Sequence, residues 1–217
     1  MTLLWLLLFP LFVWLGLNLL LLPLHFTVQS IFSLIVIPQE IYRIATNKRL
    51  RVNHALEHAT INVIEEHLGV RGRLAGLAYP DGFLIRGVDD PYLLAEAARV
   101  GLERLRRGEY HLAIHDRCGT SLAAANWLFS VLFLLVLFGA GYFSFTAILL
   151  ALVAAQLLGP WLGRWLQRTL TTSVDVAGVE ILGVTAQRRQ TLISWVFGFE
   201  PGLYFVRTGY RRLVPIW

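Results

Sequence analysis

Two long stretches of this chain contain no formally charged side chain. Among its 217 residues, no Asp, Glu, Lys or Arg occurs before Glu40, and none occurs between Arg117 and Arg164. Hydrophobic residues make up 56% of the sequence and charged residues only 15%, which is far from the composition of an ordinary soluble domain. A helix that crosses a bilayer needs roughly 20 mainly apolar residues, so each stretch has room for one or two crossings. The sequence therefore predicts a polytopic membrane protein, mainly α, with three or four hydrophobic helices.

The first charge-free stretch predicts one crossing helix followed by a segment that allows two interpretations. Residues 2–22 form an apolar run that lacks a basic region before it and a clean cleavage site after it, which favours a retained span over a signal peptide. Pro23 then interrupts the run. Residues 26–37 are short for a crossing and form either a second, tilted span or an interfacial or re-entrant helix. Residues 1–45 are predicted to be the N-terminal membrane unit.

The second charge-free stretch predicts a transmembrane helical hairpin within residues 121–168. Its helices cover residues 123–137 and 145–162, with a glycine-containing turn at 139–142. Twelve of the 19 Lys and Arg residues lie in segment 40–117, and the other seven lie in segment 164–217. Because a hairpin separates these two segments, both are predicted on the same side of the membrane, and the positive-inside tendency makes that side cytoplasmic.

The polar segment between the membrane units, residues 46–120, predicts a small α+β insert of order α-β-β-α-β. Its elements are a helix over 53–68 that ends near Gly69, a hairpin over 74–87 that turns at Asp81 and Gly82, a helix that begins near Pro91, and a strand over 111–115. The tail, 169–217, is predicted to be strand-rich at 173–185 and 203–207, with an aromatic stretch at 195–199. We expect this tail to cover the insert or to lie along the bilayer surface.

The charge distribution argues against a nucleic-acid partner. Segment 40–117 holds eleven acidic residues against its twelve basic ones, and no predicted helix displays a one-sided basic stripe. The net charge of +5 is therefore interpreted as membrane-surface and topology charge, with membrane lipids as the expected partner. Cys118 is the single cysteine, so no disulfide can form within the chain.

The run from His54 to His58 has the spacing of a metal-binding helix. Two imidazoles four residues apart project from the same side of a helix, because four steps of about 100° return almost to the starting direction. Imidazoles bind Zn²⁺ well, and Glu57 beside them has the chemistry of a general base for a metal-bound water. Glu65 lies on the same face and is an alternative ligand. The other interpretation is a solvated polar face of an amphipathic helix.

A second pair of ligand types, His115 and Cys118, stands on a predicted tight turn before the hairpin. Imidazole and thiolate together are a zinc-type ligand pair. The alternative is a helix N-terminus with an incidental buried thiol. Because both groups lie beside membrane entry points at opposite ends of one small domain, the sequence favours a single shared metal site that draws on His54, His58, His115 and Cys118.

At these residues the chain resembles a known group of proteins. The runs HALEHATI and H-x-R-C-G-T-S are similar to those of uncharacterised bacterial integral-membrane proteins, described only as domains of unknown function. A second such family, described as metal-dependent enzymes, has an HGAEHKTI-type helix and an HPRCGTSF-type turn. The resemblance covers roughly residues 50–125 and implies that His54, Glu57, His58, His115 and Cys118 belong together. Asp116 replaces the proline of the related turn. The implied location is the bacterial plasma membrane.

The leading hypothesis is a zinc-dependent, membrane-embedded hydrolase that acts at the cytoplasmic face, with Glu57 as general base. Its substrate would be a membrane peptide or a lipid-linked group. Two alternatives stay open. One is a non-catalytic scaffold or assembly factor with structural zinc, and the other is a thiol enzyme with Cys118 as nucleophile and no metal. A transporter is disfavoured because neither charge-free stretch offers an acid or a base for an ion path.

Overall fold

A computed structural model describes residues 2–69, 72–141, 144–187 and 202–210 of this chain, and it is mainly helical with one small sheet. The helices are α1 (Thr2–Thr46), α2 (Lys48–Leu68), α3 (Pro91–Arg106), α4 (Gly119–Ala140) and α5 (Phe145–Leu166). A 3₁₀ helix covers Tyr110–Ala113, and a π-helical turn, Gln167–Thr171, follows α5. The strands are β1 (Ala75–Tyr79), β2 (Gly82–Arg86), β3 (Val179–Ala186) and β4 (Leu203–Tyr210). The predicted aromatic stretch at 195–199 lies outside the described residues.

Among the described residues, three helical segments are long and apolar enough to cross a membrane: Leu20–Thr46, Gly119–Gly139 and Ile148–Thr171. The expectation of two separate segments before residue 40 is wrong, because α1 continues unbroken through Pro23. A proline inside a helix removes one backbone hydrogen bond, yet α1 continues with helical geometry on both sides of Pro23. In the turn after the proline, the Thr27 hydroxyl donates to the Pro23 carbonyl at 2.8 Å. Within α1, Leu20–Thr46 is the candidate crossing segment, and the shorter apolar stretch Leu8–Asn18 precedes it in the same helix.

The predicted hairpin is present as α4 and α5, which pack closely along a row of small residues. A β-carbon added at Gly159 would lie 2.7 Å from Ala125 Cα, and one added at Gly163 would lie 2.6 Å from Ser121 Cβ. Small residues at a helix interface let two apolar helices approach and gain packing contacts where there is no water to expel. This approach holds the end of α5 against the start of α4, where Cys118 lies.

The four strands form one antiparallel sheet in the order β1-β2-β4-β3. The β1–β2 hairpin turns where predicted, with Tyr79 paired to Gly82. The tail strands β3 and β4 complete this same sheet, since β4 pairs with β2 on one side and β3 on the other. Helices α2 and α3 supply the rest of the core, in which Leu56, Ile64, Phe83, Ile85, Leu94 and Val206 are fully buried. We call the assembly of α2, α3 and the four-stranded sheet the polar unit. It contains residues that precede the helical hairpin and residues that follow it.

The predicted strand over 111–115 is wrong, and so is the α-β-β-α-β order that it completed. This segment begins with the 3₁₀ helix Tyr110–Ala113, in which the neighbours Leu112 and Ala113 are both buried instead of alternating. The Asn62 side chain on α2 donates to the carbonyls of Leu112 and Ile114 at 2.9 and 3.1 Å. Because a helix side chain satisfies these backbone groups, the segment needs no strand partner.

Helix α2 is the element that carries the predicted histidines, and it is fixed at both ends. It begins at Lys48, five residues earlier than predicted, where the Asn47 side chain accepts a hydrogen bond from the Leu50 amide. It ends at Gly69, whose φ of 65° is the left-handed conformation that glycine adopts most readily. In between, buried Asn53 donates to the Tyr79 carbonyl at 2.7 Å and accepts from the Thr208 hydroxyl at 2.9 Å. These bonds set the rotation of α2 against the sheet.

Candidate metal centre

Three predicted ligands converge at the junction of the polar unit and the helical hairpin. The ligand atoms of His54, His58 and Cys118 all lie within 4.8 Å of one another, and all three side chains are buried. His54 Nε2 is 3.2 Å from Cys118 Sγ. Two of the ligands come from one helix and the third comes from a turn sixty residues later. We call these three residues the His–His–Cys cluster.

The imidazoles of the cluster are oriented by main-chain carbonyls from two other segments. His54 Nδ1 lies 2.9 Å from the Thr171 carbonyl oxygen, and His58 Nδ1 lies 2.8 Å from that of Ala113. Because a carbonyl can only accept, both Nδ1 atoms carry a proton and donate. This is the arrangement by which metal-ligating histidines are usually held, with Nε2 directed at the ion. His58 Nε2 is buried and, in the part of the chain that the structure describes, has no hydrogen-bond partner.

Cys118 is placed by the turn that precedes α4, and a buried glutamine holds that turn. Cys118 is the N-cap residue of α4, with Sγ accepting from the Thr120 amide at 3.3 Å. Gln167 accepts from the His115 amide at 2.9 Å and donates to the His115 carbonyl at 3.2 Å and to the Ser121 hydroxyl at 3.0 Å. The alternative of a helix N-terminus is thus correct as local structure. The thiol nevertheless lies directly against the two imidazoles.

The cluster is strongly polarised by its own charges. Burial alone raises the pKa of the Cys118 thiol, but the neighbouring imidazoles of His54 and His58 outweigh it and lower that pKa to about 4. Burial lowers the pKa of His54, yet the hydrogen bond and the charge of Cys118 raise it to about 9. Burial and the positive charge of His54 lower the pKa of His58. In the absence of a metal, the pair is therefore an imidazolium facing a thiolate, beside a neutral imidazole.

Glu57 lies beside the cluster and is held against the backbone of β1. Burial raises the pKa of its carboxyl to about 8, and the positive charge of His54 offsets this only in part. A β-carbon added at Gly76 would lie 2.5 Å from Glu57 Cδ, closer than such atoms approach in real proteins. The carboxyl group thus occupies the space that any other residue at position 76 would fill. A carboxyl group with a pKa near neutrality is suited to take up and release a proton.

The structure does not bring His115 into the cluster. Its Nε2 lies 3.4 Å from Glu65 Oε2, and its ring centroid is 6.0 Å from that of His58. Glu65 Oε1 accepts a hydrogen bond from the Gly72 amide at 2.6 Å, so both oxygens of Glu65 are engaged outside the three-ligand cluster. His115 and Glu65 line a cavity of about 420 Å³ next to the cluster, together with Arg117.

Comparison with known proteins identifies the family to which the sequence belongs. A model of a domain of unknown function, DUF6391, matches residues 49–184. The chain belongs to the DUF6391 family. An uncharacterised protein from Picosynechococcus sp. is 34% identical over 147 residues, which cover 58% of this chain and 67% of that protein. No solved structure matches the chain.

The DUF6391 match contains every residue of the cluster and also two residues that sequence reasoning missed. Gln167 and Thr171 stand on the π-helical turn after α5, and they hold the Cys118 turn and the His54 ring. Gln167 contributes through its amide side chain and Thr171 through its main-chain carbonyl. Neither kind of contact produces a recognisable spacing of residues in the sequence. The polar run after a long apolar helix, residues 167–173, was the one available signal. π-Helical turns are frequent at functional sites.

Proposed function

We propose that this protein is a zinc-dependent hydrolase anchored in the bacterial plasma membrane, with its polar unit on the cytoplasmic side. His54, His58 and Cys118 would hold the ion, and Glu57 would act as general base. The observation that carries the proposal is the bare Nε2 of His58. A buried nitrogen without a partner is unfavourable by about 1–3 kcal/mol, and a metal ion would supply the missing interaction.

The arrangement of donors fits a tetrahedral ion. Ligand bonds of about 2.0–2.3 Å place the ligand atoms of a tetrahedral zinc roughly 3.6 Å apart, and the atoms of the cluster lie within 4.8 Å of one another. Small side-chain rotations therefore complete the site. Two nitrogens and one thiolate leave a fourth position, which catalytic zinc sites keep for water.

The chemistry expected of the bound ion is to lower the pKa of its water toward neutrality. Glu57 would be the proton-transfer group beside the ion, because its carboxyl has a pKa of about 8 without a metal and a nearby divalent charge would favour the ionised form that accepts a proton. The candidate substrate classes are a membrane peptide and a lipid-linked group, because the three candidate crossing segments among the described residues would keep the site beside a bilayer.

Structural zinc in a non-catalytic scaffold is a second candidate, and the burial of the site favours it. His58 is only 1% exposed, and His54 and Cys118 are each 7% exposed. A closed site of this kind would join α2 to the start of α4. It would then add to the stability of the fold without performing a reaction.

A thiol enzyme without metal is a third candidate, favoured by the 3.2 Å contact between His54 Nε2 and Cys118 Sγ. An imidazolium that faces a thiolate is the usual form of an activated cysteine nucleophile. In such an enzyme His58 would help to stabilise the thiolate, since it too lowers the pKa of Cys118.

Elemental analysis of the detergent-purified chain separates these candidates. We expect about one zinc per chain in the wild type and in Glu57→Gln, and much less in His54→Ala, His58→Ala and Cys118→Ala. The matched control is His67→Ala, because His67 is exposed near the end of the same helix. Quenched fluorescent membrane peptides and lipid-linked esters in vesicles then test turnover, which Glu57→Gln should abolish. Metal-free wild type would refute the proposal, and zinc with no turnover of either substrate class would favour the scaffold.

A further inference from the structure

We infer that the outer edge of β1 binds an extended polypeptide as an additional strand and presents its backbone to Glu57. This inference rests on the proposed hydrolase and names its substrate class as an unfolded or extended peptide segment. It begins from the position of β1 at the end of the sheet order β1-β2-β4-β3, with no further strand beside it among the described residues.

The register shows which backbone groups face outward. The Gly87 amide donates to the Gly202 carbonyl at 3.3 Å, so the odd-numbered residues of β2 face β4 and the even-numbered ones face β1. Leu84 is paired with Leu77, so Leu77 exchanges its hydrogen bonds with β2. Gly76 and Ala78, its neighbours on β1, therefore direct their N–H and C=O groups away from the sheet.

These outward groups are accessible. Gly76 is exposed, and a glycine has only backbone atoms to expose. On the solvent-facing side of the strand, Leu77 and Tyr79 are 56% and 37% exposed. A row of alternating N–H and C=O groups is matched by another extended backbone, which is how strand addition provides affinity.

The two edges of the sheet differ in how they are protected. Natural proteins guard an edge strand with charged residues, prolines or bulges, because an open edge pairs with other chains. The opposite edge, β3, carries Glu180 and a register shift between Ile181 and Gly183. Strand β1, with the sequence AGLAY, has no charged residue, no proline and a regular register along its whole length. This edge is therefore left open to pairing.

The open edge lies beside the proposed general base. Neighbouring strands are about 4.7–4.9 Å apart, and the Glu57 carboxyl already contacts Gly76. A strand added to β1 would run alongside Gly76, and the carboxyl lies directly beneath Gly76 on the buried face of the sheet, in the space that a β-carbon would take. A side chain at position 76 would push the carboxyl group away, so Gly76 serves both the pairing edge and the placement of Glu57.

The test measures binding instead of turnover, so it does not depend on hydrolysis. The detergent-purified full chain carrying Glu57→Gln is applied to an array of random-sequence octapeptides, and the best binder is resynthesised with alternate backbone nitrogens methylated. Ala78→Pro in the same background deletes one outward N–H without touching the β1–β2 ladder, and Ala78→Val is its control. We expect Ala78→Pro to weaken binding about tenfold, Ala78→Val to change it less than about twofold, and methylation to abolish it. Unchanged zinc content and thermal unfolding of Ala78→Pro verify its fold.

Three results would overturn the inference: an array without binders, equal binding by Ala78→Pro, or a wild-type dimer that Ala78→Pro converts to a monomer, which would assign the edge to a second copy. The outcomes also separate this inference from the proposed function. Binding that depends on Ala78 in a chain without zinc supports the strand site and refutes the hydrolase. A chain that binds zinc and turns over substrate, but whose peptide binding does not depend on Ala78, supports the hydrolase and refutes the strand site.

Discussion

Metal binding at the His–His–Cys cluster is predicted to release protons, and its affinity should rise with pH. In the metal-free protein His54 carries a proton, because the Cys118 thiolate holds its pKa at about 9. An ion can bind His54 Nε2 only after that proton leaves. Glu57, with a pKa of about 8, is also protonated at pH 7, and a nearby divalent charge favours its ionised form. Zinc binding at pH 7 should therefore release about two protons.

The size of the effect follows from the distance between pH 7 and these pKa values. The pKa of His54 is raised above the ordinary 6.5, so its proton competes with the metal at every pH below about 9 and ceases to compete above it. Two pH units correspond to about 100-fold in affinity, or about 3 kcal/mol. Deprotonation of Glu57 between pH 7 and 8 adds about a further tenfold to the increase in apparent zinc affinity. Apparent zinc affinity should thus increase by at least 100-fold between pH 7 and 9.

Isothermal titration of zinc into the metal-free, detergent-purified chain counts the protons when it is repeated in two buffers of different ionisation enthalpy. Glu57→Gln is expected to release one proton fewer than the wild type, while His67→Ala should match the wild type. The thiolate ultraviolet absorbance of the metal-free chain should persist down to about pH 4, where Cys118 titrates. No proton release at pH 7, or equal affinity at pH 7 and pH 9, would show that the described charge arrangement is wrong.

The remaining predictions concern the residues around the ion. Gly76→Ala should displace the Glu57 carboxyl by about 1 Å and reduce turnover about 100-fold while zinc content is retained, and loss of zinc would contradict this. Gln167→Ala removes three buried hydrogen bonds, so it should lower the free energy of unfolding by about 2–4 kcal/mol and weaken zinc binding. An unchanged melting curve would contradict this expectation. Gly159→Leu should separate α4 from α5 and lower the unfolding temperature in detergent more than Leu157→Ala does on the exposed face. Cys118→Ser should remove the thiolate charge-transfer absorption of the Co²⁺-loaded chain, which His67→Ala should retain.

The sequence predicted those features that depend on local chemistry. The charge-free stretches indicated an apolar N-terminal helix and the α4–α5 hairpin, although not the bounds of the candidate crossing segments, and Asp81 and Gly82 marked the β1–β2 turn. The four-residue spacing of His54 and His58 placed both rings on one face of α2, as the structure shows. Each of these features is set by residues within a few positions of one another, so a pattern in the sequence was sufficient.

The features that sequence reasoning missed depend on distant partners. His115 was expected among the ligands because it precedes Cys118 by three residues. The structure turns it toward Glu65, whose side chain is fixed by the Gly72 amide. The strand expected over 111–115 failed because Asn62, fifty residues earlier, binds its carbonyls. Contacts between residues fifty positions apart depend on how α2 packs against the rest of the fold. A short sequence pattern contains no information about that packing.

The position of the cluster couples metal binding to the assembly of the whole chain. His54 and His58 belong to the polar unit, Cys118 begins α4, and the carbonyl that orients His54 belongs to Thr171 at the end of α5. Both ends of the hairpin must therefore lie against α2 before the three ligand atoms can meet. It follows that a fragment ending before Cys118 lacks one ligand and the carbonyl that orients another, however well its sheet and helices form. High metal affinity is therefore expected only of a chain that contains both the helical hairpin and the polar unit, which meet at the cluster.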